Sequence, residues 1–340
     1  MTKSLRALLE GVIDYAGLFP PASLALDTAL EEFTTHRRDP LSWMLSRFVI
    51  PAGLLPEITL DTALKLSSPH FSVLIGGGRT QAEFVANVKE GVTAAAQFNE
   101  RLAGKCVADA FEVKIDARAV GKIRVESVSE FLRIVCDAVH SGIPTTPTKT
   151  VPVYCEFVPE QPISSWPKGE DDFASFIAGI SQFNRSHLGA PKCAGEAFGF
   201  KFRSGGVNRD DFPPVAALAF ALTQSRLYGV PFKATAGLHH PLYHQDSALG
   251  VKMHGFINVF AAGVLAHVHQ LSDEVVSAIL SSEQPDNFRF DDEGLSWREL
   301  SASVTEISQA RRGFIRSFGS CSFTDPRDGL DALGLISSLR

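Results

Sequence analysis

FGFKFRSGGV (residues 198–207) and GVPFKATAGLHHP (residues 229–241) share one pattern: a short apolar run with cations at alternating positions, followed by glycine. Side chains along an extended strand alternate between two faces. Lys201 and Arg203 therefore share one face and Phe200 and Phe202 the other, while Lys233, Thr235 and Gly237 oppose Phe232 and Ala234. The intervening FPPVAALAFALTQSRLYG (residues 212–229) reads as a helix opened by prolines and closed by Gly229. The unit is strand, helix, strand, with a basic residue on each strand.

Parallel strands covered by helices are normally apolar on both faces, and lysine and arginine are almost never fully buried unless paired. Two neighbouring strands that break this rule point to a site where an anionic or carbonyl-bearing ligand supplies the partner. The plainer reading is an internal ion pair with acidic residues on other strands.

The same alternation of strand-like and helical runs fills the rest of the chain. GVIDYAGLFPPA, RFVIPAGLL, HFSVLIGGG, ADAFEVKID and VPVYCEFVPE read as five strands before the two above. HGFINVFAAGVL reads as an eighth, with Asn258 on one face. Glu112, Lys114 and Asp116 alternate on one face of the fourth run, and Tyr154 and Glu156 share a face of the fifth. Eight such units indicate an α/β fold, a single (β/α)8 barrel, with residues 1–284 forming the barrel and residues 285–340 a C-terminal extension packed on it. In such barrels the chemistry lies at the C-terminal ends of the strands, which is where these charges fall.

The 340 residues are 45% hydrophobic and 21% charged, enough for a sizeable core without disulfides or metal. A net charge of −6 argues against a nucleic-acid surface or a polybasic membrane patch, so the local cations are expected to serve a small anionic molecule. No apolar run is long enough to span a bilayer, and MTKSLRALLEGVIDYAGLFPP lacks the pattern of a signal peptide. Five cysteines without CxxC spacing fit a reducing, cytoplasmic setting. A homo-oligomer is compatible with this composition.

The lysine of FGFKFRSGG and the lysine of GVPFKATAGLHH, one helix apart, resemble the arrangement in the deoxyribose-phosphate aldolase family of class I aldolases. There a strand-six lysine in a K-x-S-x-G type segment forms a Schiff base, a strand-seven lysine in a K-A-S-G-G type segment tunes it, and a strand-four aspartate moves protons. The resemblance implies Lys201 as the imine-forming lysine, Lys233 as its electrostatic partner and Asp116 as a proton carrier. It covers about forty residues. Arg203 departs from the family pattern, the chain is longer than the family norm, and the HHP segment has no counterpart there.

Three chemistries remain open from the residues alone. A lysine attacks a carbonyl only as the neutral amine, and burial beside other cations lowers its pKa. Lys201, Lys233 and Arg203 crowd one region, with Glu112, Asp116 or Glu156 available to shuttle protons and Tyr154 to donate to an oxyanion. This is a lyase of aldolase type requiring no cofactor, with Lys114, Glu112, His239, His240 and Asn258 completing the substrate-binding set. In the second chemistry the cations stay protonated and clamp a phosphate or carboxylate, with Arg203 and the backbone of Gly205 and Gly206, as in an isomerase or transferase. The third is a metal-dependent hydrolase using the histidines of HHPLYH (residues 239–244), followed by His254, with a divalent metal. Their spacing matches no standard ligand set, and Pro241 prevents a regular helix from aligning two imidazoles. A non-enzymatic barrel would fill its layers with Val, Ile and Leu. Cys155 and Cys193 read as buried inert thiols rather than nucleophiles.

Overall fold

The computed structural model describes residues 1–66, 69–143, 151–187 and 197–336. Eight parallel strands close into a barrel: β1 (Ile13–Tyr15), β2 (Leu45–Pro51), β3 (His70–Ile75), β4 (Val107–Asp116), β5 (Val153–Val158), β6 (Gly199–Arg203), β7 (Phe232–Thr235) and β8 (Ile315–Ser320). Around the barrel β1 pairs with both β2 and β8, and β8 with β7. The chain is an α/β protein of the (β/α)8 type. Helices α2 (Leu26–His36), α4 (Gln81–Arg101), α6 (Val125–Gly142), α7 (Glu170–His187) and α8 (Val215–Leu227) bury their apolar stripes on the outer face of the strands. The outward-facing Phe200, Phe202 and Phe232 stack with Phe173 and Phe176 of α7 in one aromatic layer.

The seven strands expected up to residue 235 lie where the alternation puts them. The eighth does not. Residues 256–269 form helix α9 (Phe256–His269), not a strand, and every residue from Phe256 to Ala266 is buried. A helix buried on all sides shows no 3.6-residue stripe, so its unbroken apolar run mimics a core strand. The closing strand is the polar IRSFGS of residues 315–320, whose Ser317 and Ser320 are nonetheless buried. Residues 285–340 are therefore not an appendage, and a boundary at residue 284 would cut the barrel open. A three-stranded antiparallel sheet (Phe288–Phe290, Gly294–Trp297 and Leu300–Ser303) and helix α11 (Val304–Gly313) lead into β8, and helix α12 (Thr324–Ala332) follows it. Among the described residues no helix is long and apolar enough to cross a membrane.

Candidate functional site

One level of the barrel holds a row of charges running across four strands. Lys114 of β4 pairs in register with Glu156 of β5, Glu156 with Lys201 of β6, and Lys201 with Lys233 of β7. The side-chain period of two turns all four inward. One layer lower, Glu112 of β4 reaches up between the two central lysines, 2.8 Å from the Nζ of Lys201 and 2.8 Å from the Nζ of Lys233. Its remaining capacity is met by Ser72 of β3, whose hydroxyl donates to Oε1 at 2.7 Å. Lys233 also pairs with Asp14 of β1. Asp14 accepts hydrogen bonds from the hydroxyl of Ser317 at 2.6 Å and from the backbone N–H of Arg47 at 3.0 Å.

Lys201 and Lys233 are only 3% and 1% exposed, so they have left water almost completely. Burial alone would discharge an ammonium. For Lys233 that effect is outweighed by Asp14 and Glu112, which hold its pKa above the ordinary lysine range. Burial likewise works against the charge of Glu112, and the two ammoniums outweigh it, leaving the carboxyl well below its usual range. Glu156 is held at about 2 against burial by Lys201, Arg203 and Lys114. Its Oε2 lies 2.6 Å from the Nζ of Lys201, an ion-pair contact too oblique to count as a hydrogen bond.

Lys114 is different. It is half-buried at the upper end of the row and has no ion-pair or hydrogen-bond partner among the described residues. Burial lowers its pKa first; Glu156 pulls it back, and Arg203 and Lys201 push it further down. The lowering by neighbouring cations falls on Lys114, while Lys233 moves the other way. Arg203 donates from Nε to Glu156 at 3.2 Å and leaves its side chain 44% exposed. A cleft of about 370 Å³ at the ends of β5 and β6 is bordered by Glu156, Lys201, Arg203, Pro159 and Asp211. A larger cleft of about 670 Å³ opens near Pro69, His70 and Val107, at the N-terminal ends of β3 and β4 and so at the other end of the barrel from this row.

The other expected site residues separate into groups. Asp116 does not approach the lysines. It caps helix α5 (Ala117–Val120) by accepting from the N–H of Arg118, and pairs with that residue's guanidinium. The strand-four acid at the lysines is Glu112, one layer deeper, so Glu112 is an internal partner of the lysines rather than a group facing substrate. Beyond Gly205 and Gly206, the backbone N–H groups of Val207 and Asn208 donate to Asp211 at 3.1 and 2.9 Å and are not free for an anion. Gly205 is needed for another reason. A Cβ there would stand 2.9 Å from the Cα of Gly237 in the loop after β7.

Asn258 is fully buried on α9. It donates to the carbonyls of Ile279 and Ser282 at 2.8 Å each and accepts from the N–H of Tyr243 at 2.9 Å, so it is a structural bracket with no capacity left for substrate. The ring of Tyr154 lies beneath the ammonium of Lys233, at 5.3 Å.

The histidines go separate ways. His239 faces Cys321 and Asp325. His240 stacks edge-on against His244, and its pKa is lowered by burial and then by its histidine neighbours. His244 donates to the carbonyl of Leu242, and His254 to that of Pro213, with burial keeping His254 neutral down to about pH 4. No group of three or more His, Cys, Asp or Glu side chains among the described residues is placed to hold a metal ion. Cys155 is buried at the barrel wall and its thiol is pushed up by burial alone; Cys193 lies outside the described residues. From sequence, Asp14 reads as a carboxylate near the mouth of a pocket or as a loop cap; it lies instead buried on β1 against Lys233. Ser317 has no such reading, and nothing in IRSFGS marks it as the strand beside β1.

No protein-family model matches the chain, and no curated protein does. Among solved structures the chain is similar to malate synthase of Haloferax volcanii, determined as a ternary complex with pyruvate and acetyl-CoA: identity is 9% and the TM-score 0.40, over 97% of this chain and 76% of that one. The barrel assignment stands on the closed strand order itself.

Proposed function

We propose that the protein is a lyase-like enzyme that binds a small anionic carbonyl compound at the upper end of the barrel and activates it as an imine on a lysine of the buried row. The observation that carries this reading is the charge count of the cluster. Four cations (Lys114, Lys201, Arg203 and Lys233) face three carboxylates (Asp14, Glu112 and Glu156). One cation is in surplus, and the surplus one can exist as a neutral amine without leaving a buried carboxylate unpaired.

Lys114 meets both requirements of a nucleophilic amine, a lowered pKa and a side chain not sealed from solvent. Glu156, its neighbour in register, is the acid–base group for dehydration of the carbinolamine. Lys233, held charged by Asp14 and Glu112, supplies a fixed positive field for the developing enolate or enamine. The free terminal nitrogens of Arg203 hold the substrate's anionic group. A second reading places the imine on Lys201, as the resemblance implies; it is favoured by the contact of that Nζ with Glu156, an immediate proton acceptor.

Sodium borohydride reduction in the presence of pyruvate, glyceraldehyde 3-phosphate or other small anionic aldehydes and ketones tests both. Peptide mapping of the reduced adduct to Lys114 supports the first reading and to Lys201 the second. No adduct on either lysine with any carbonyl compound tried, in protein of intact fold, refutes imine chemistry here.

A further inference from the structure

Outside the lysine row, one further cluster combines a nucleophile, a base and an orienting acid. Cys321, the first residue after β8, lies with its Sγ 3.7 Å from the Nε2 of His239 on the loop after β7. The Nδ1 of the same imidazole is 3.3 Å from Oδ2 of Asp325 in the first turn of α12, within ion-pair distance though off the hydrogen-bonding line. Two segments supply the three residues: Cys321 and Asp325 both follow β8, and the parallel pairing of β8 with β7 brings them to His239. Cys321 is 8% exposed, His239 is largely buried and Asp325 is half exposed.

We propose that Cys321, His239 and Asp325 form a second nucleophilic centre, distinct from the lysine row, that accepts an acyl group from a small activated ester or thioester bearing a cationic substituent. Cys321 borders a cleft of about 480 Å³ between α2 and the loop leaving β8, lined also by Ser322, Thr324, Glu31, Glu32 and His36. That size suits a small molecule. Glu31 and Glu32 are exposed at its rim, and a cation is their natural complement. Against the thiol lie Tyr15 from β1, hydrogen-bonded to Glu32 at 2.7 Å, and His239; Asp325 and His240 stand by the imidazole, and His36 of α2 lines the same cleft. Burial disfavours an imidazolium at His239, but Asp325 and Cys321 outweigh it and raise its pKa to about 9. A cationic imidazole beside a thiol is the pairing that stabilises thiolate.

The step balances within the cluster. The Sγ lone pair forms a bond to the acyl carbon as the carbonyl π pair moves onto oxygen. When the tetrahedral adduct collapses, the bond to the leaving group breaks, and that group takes the proton from Nε2 of His239. Water then attacks the thioester and gives a proton back to the imidazole. The carboxylic acid leaves and the thiolate–imidazolium pair is restored.

Alkylation by iodoacetamide, followed residue by residue by mass spectrometry across the pH range, reads the pair without any assumed activity. Cys321 is expected to react at about pH 6.5 at least ~10-fold faster than a free thiol, whose pKa is about 8.5. His239→Asn should remove the excess, and Asp325→Asn, a half-exposed change that leaves the core intact, should reduce it. With the p-nitrophenyl ester of a trimethylammonium acid, one equivalent of nitrophenol should be released with acylation of Cys321, faster than with p-nitrophenyl acetate. Glu31→Gln should narrow that preference. Equal alkylation rates in wild type, His239→Asn and Asp325→Asn, or ester turnover that survives Cys321→Ser, would overturn the nucleophilic centre. Acylation without preference for the cationic ester would overturn the substrate class.

Discussion

Glu112→Gln is the substitution that asks most of the charge row. The side chain is almost isosteric and can keep its contact with Ser72, so little changes in shape. What changes is charge: the cluster goes from three carboxylates facing four cations to two facing four, with Lys201 and Lys233 each losing a partner 2.8 Å away. Lys233 keeps Asp14 and Lys201 keeps Glu156. Removing one member of a buried pair typically costs about 3–5 kcal/mol when the other charge is left without a partner, and because each lysine keeps one acid the expected loss is at the lower end, about 3 kcal/mol. Set against a total stability of about 5–15 kcal/mol for a domain, that is a large fraction. Chemical denaturation should therefore show a midpoint far below wild type at unchanged slope. The double variant Glu112→Gln, Lys233→Met also removes one of the two ammoniums that Glu112 bridges, and it should lose less than the sum of the single losses, with a coupling of about 1–3 kcal/mol. A Glu112→Gln protein within about 0.5 kcal/mol of wild type, or a strictly additive double variant, would show that these charges are screened by solvent and that the buried row is not the organising feature argued above.

Two further outcomes follow from the same contacts. Glu156 has a folded pKa of about 2, below its ordinary value of 4.5, so its contribution to stability is fully present above the unfolded value and is lost as the pH falls from there towards 2; Glu112 is shifted in the same direction. Acid titration followed by tryptophan fluorescence should show stability falling in that window, with a shallower fall in Glu156→Gln, and an identical fall in the variant would contradict the pairing. Asn258→Ala removes one acceptor and two donated bonds in a fully buried place. It should cost about 2–3 kcal/mol yet leave borohydride trapping of a row lysine unchanged in the folded protein, and loss of the adduct at intact stability would return Asn258 to the substrate site.

Seven strands and the inward direction of their charges were legible because period-two alternation survives wherever one face meets helices and the other the lumen. Phe200, Lys201, Phe202 and Arg203 are the clearest instance: two aromatics against α7 and two cations turned inward. The failures have two physical sources. The first is uniform burial: α9 is apolar all round, so its periodicity vanishes and FINVFAAGVL imitates a strand. The second is that a strand serving a polar lumen ceases to look like a strand. β8 carries Ser317 inward for Asp14, and that functional choice removed the apolar signal that would have identified it. The resemblance puts Asp116 at the lysines, and alternation cannot correct it, because alternation gives Glu112 and Asp116 the same face and fixes no depth. The two differ by four residues along β4, and only the register with β5 decides which reaches Lys201.

Barrel closure and the charge state of Lys233 are one problem. Its strongest partner, Asp14, sits on β1, and Asp14 in turn is held by Ser317 on β8, the neighbouring strand from the other end of the chain, 303 residues away. Until β1 and β8 pair, that carboxylate lies on an open sheet edge, hydrated and free to turn from the lumen. Lys233 would then be left with Glu112 alone, which it shares with Lys201. An open seven-stranded sheet thus leaves Lys233 with a shared carboxylate only, a costly state, whereas Lys201 has Glu156 of β5 in either form and the closed barrel gives Lys233 its own second acid. The electrostatics of the row therefore favour closure, and closure fixes the row's charge. The pairing of β8 with β7 carries Cys321 to His239, so the proposed thiol centre and the lysine row both depend on the C-terminal strand.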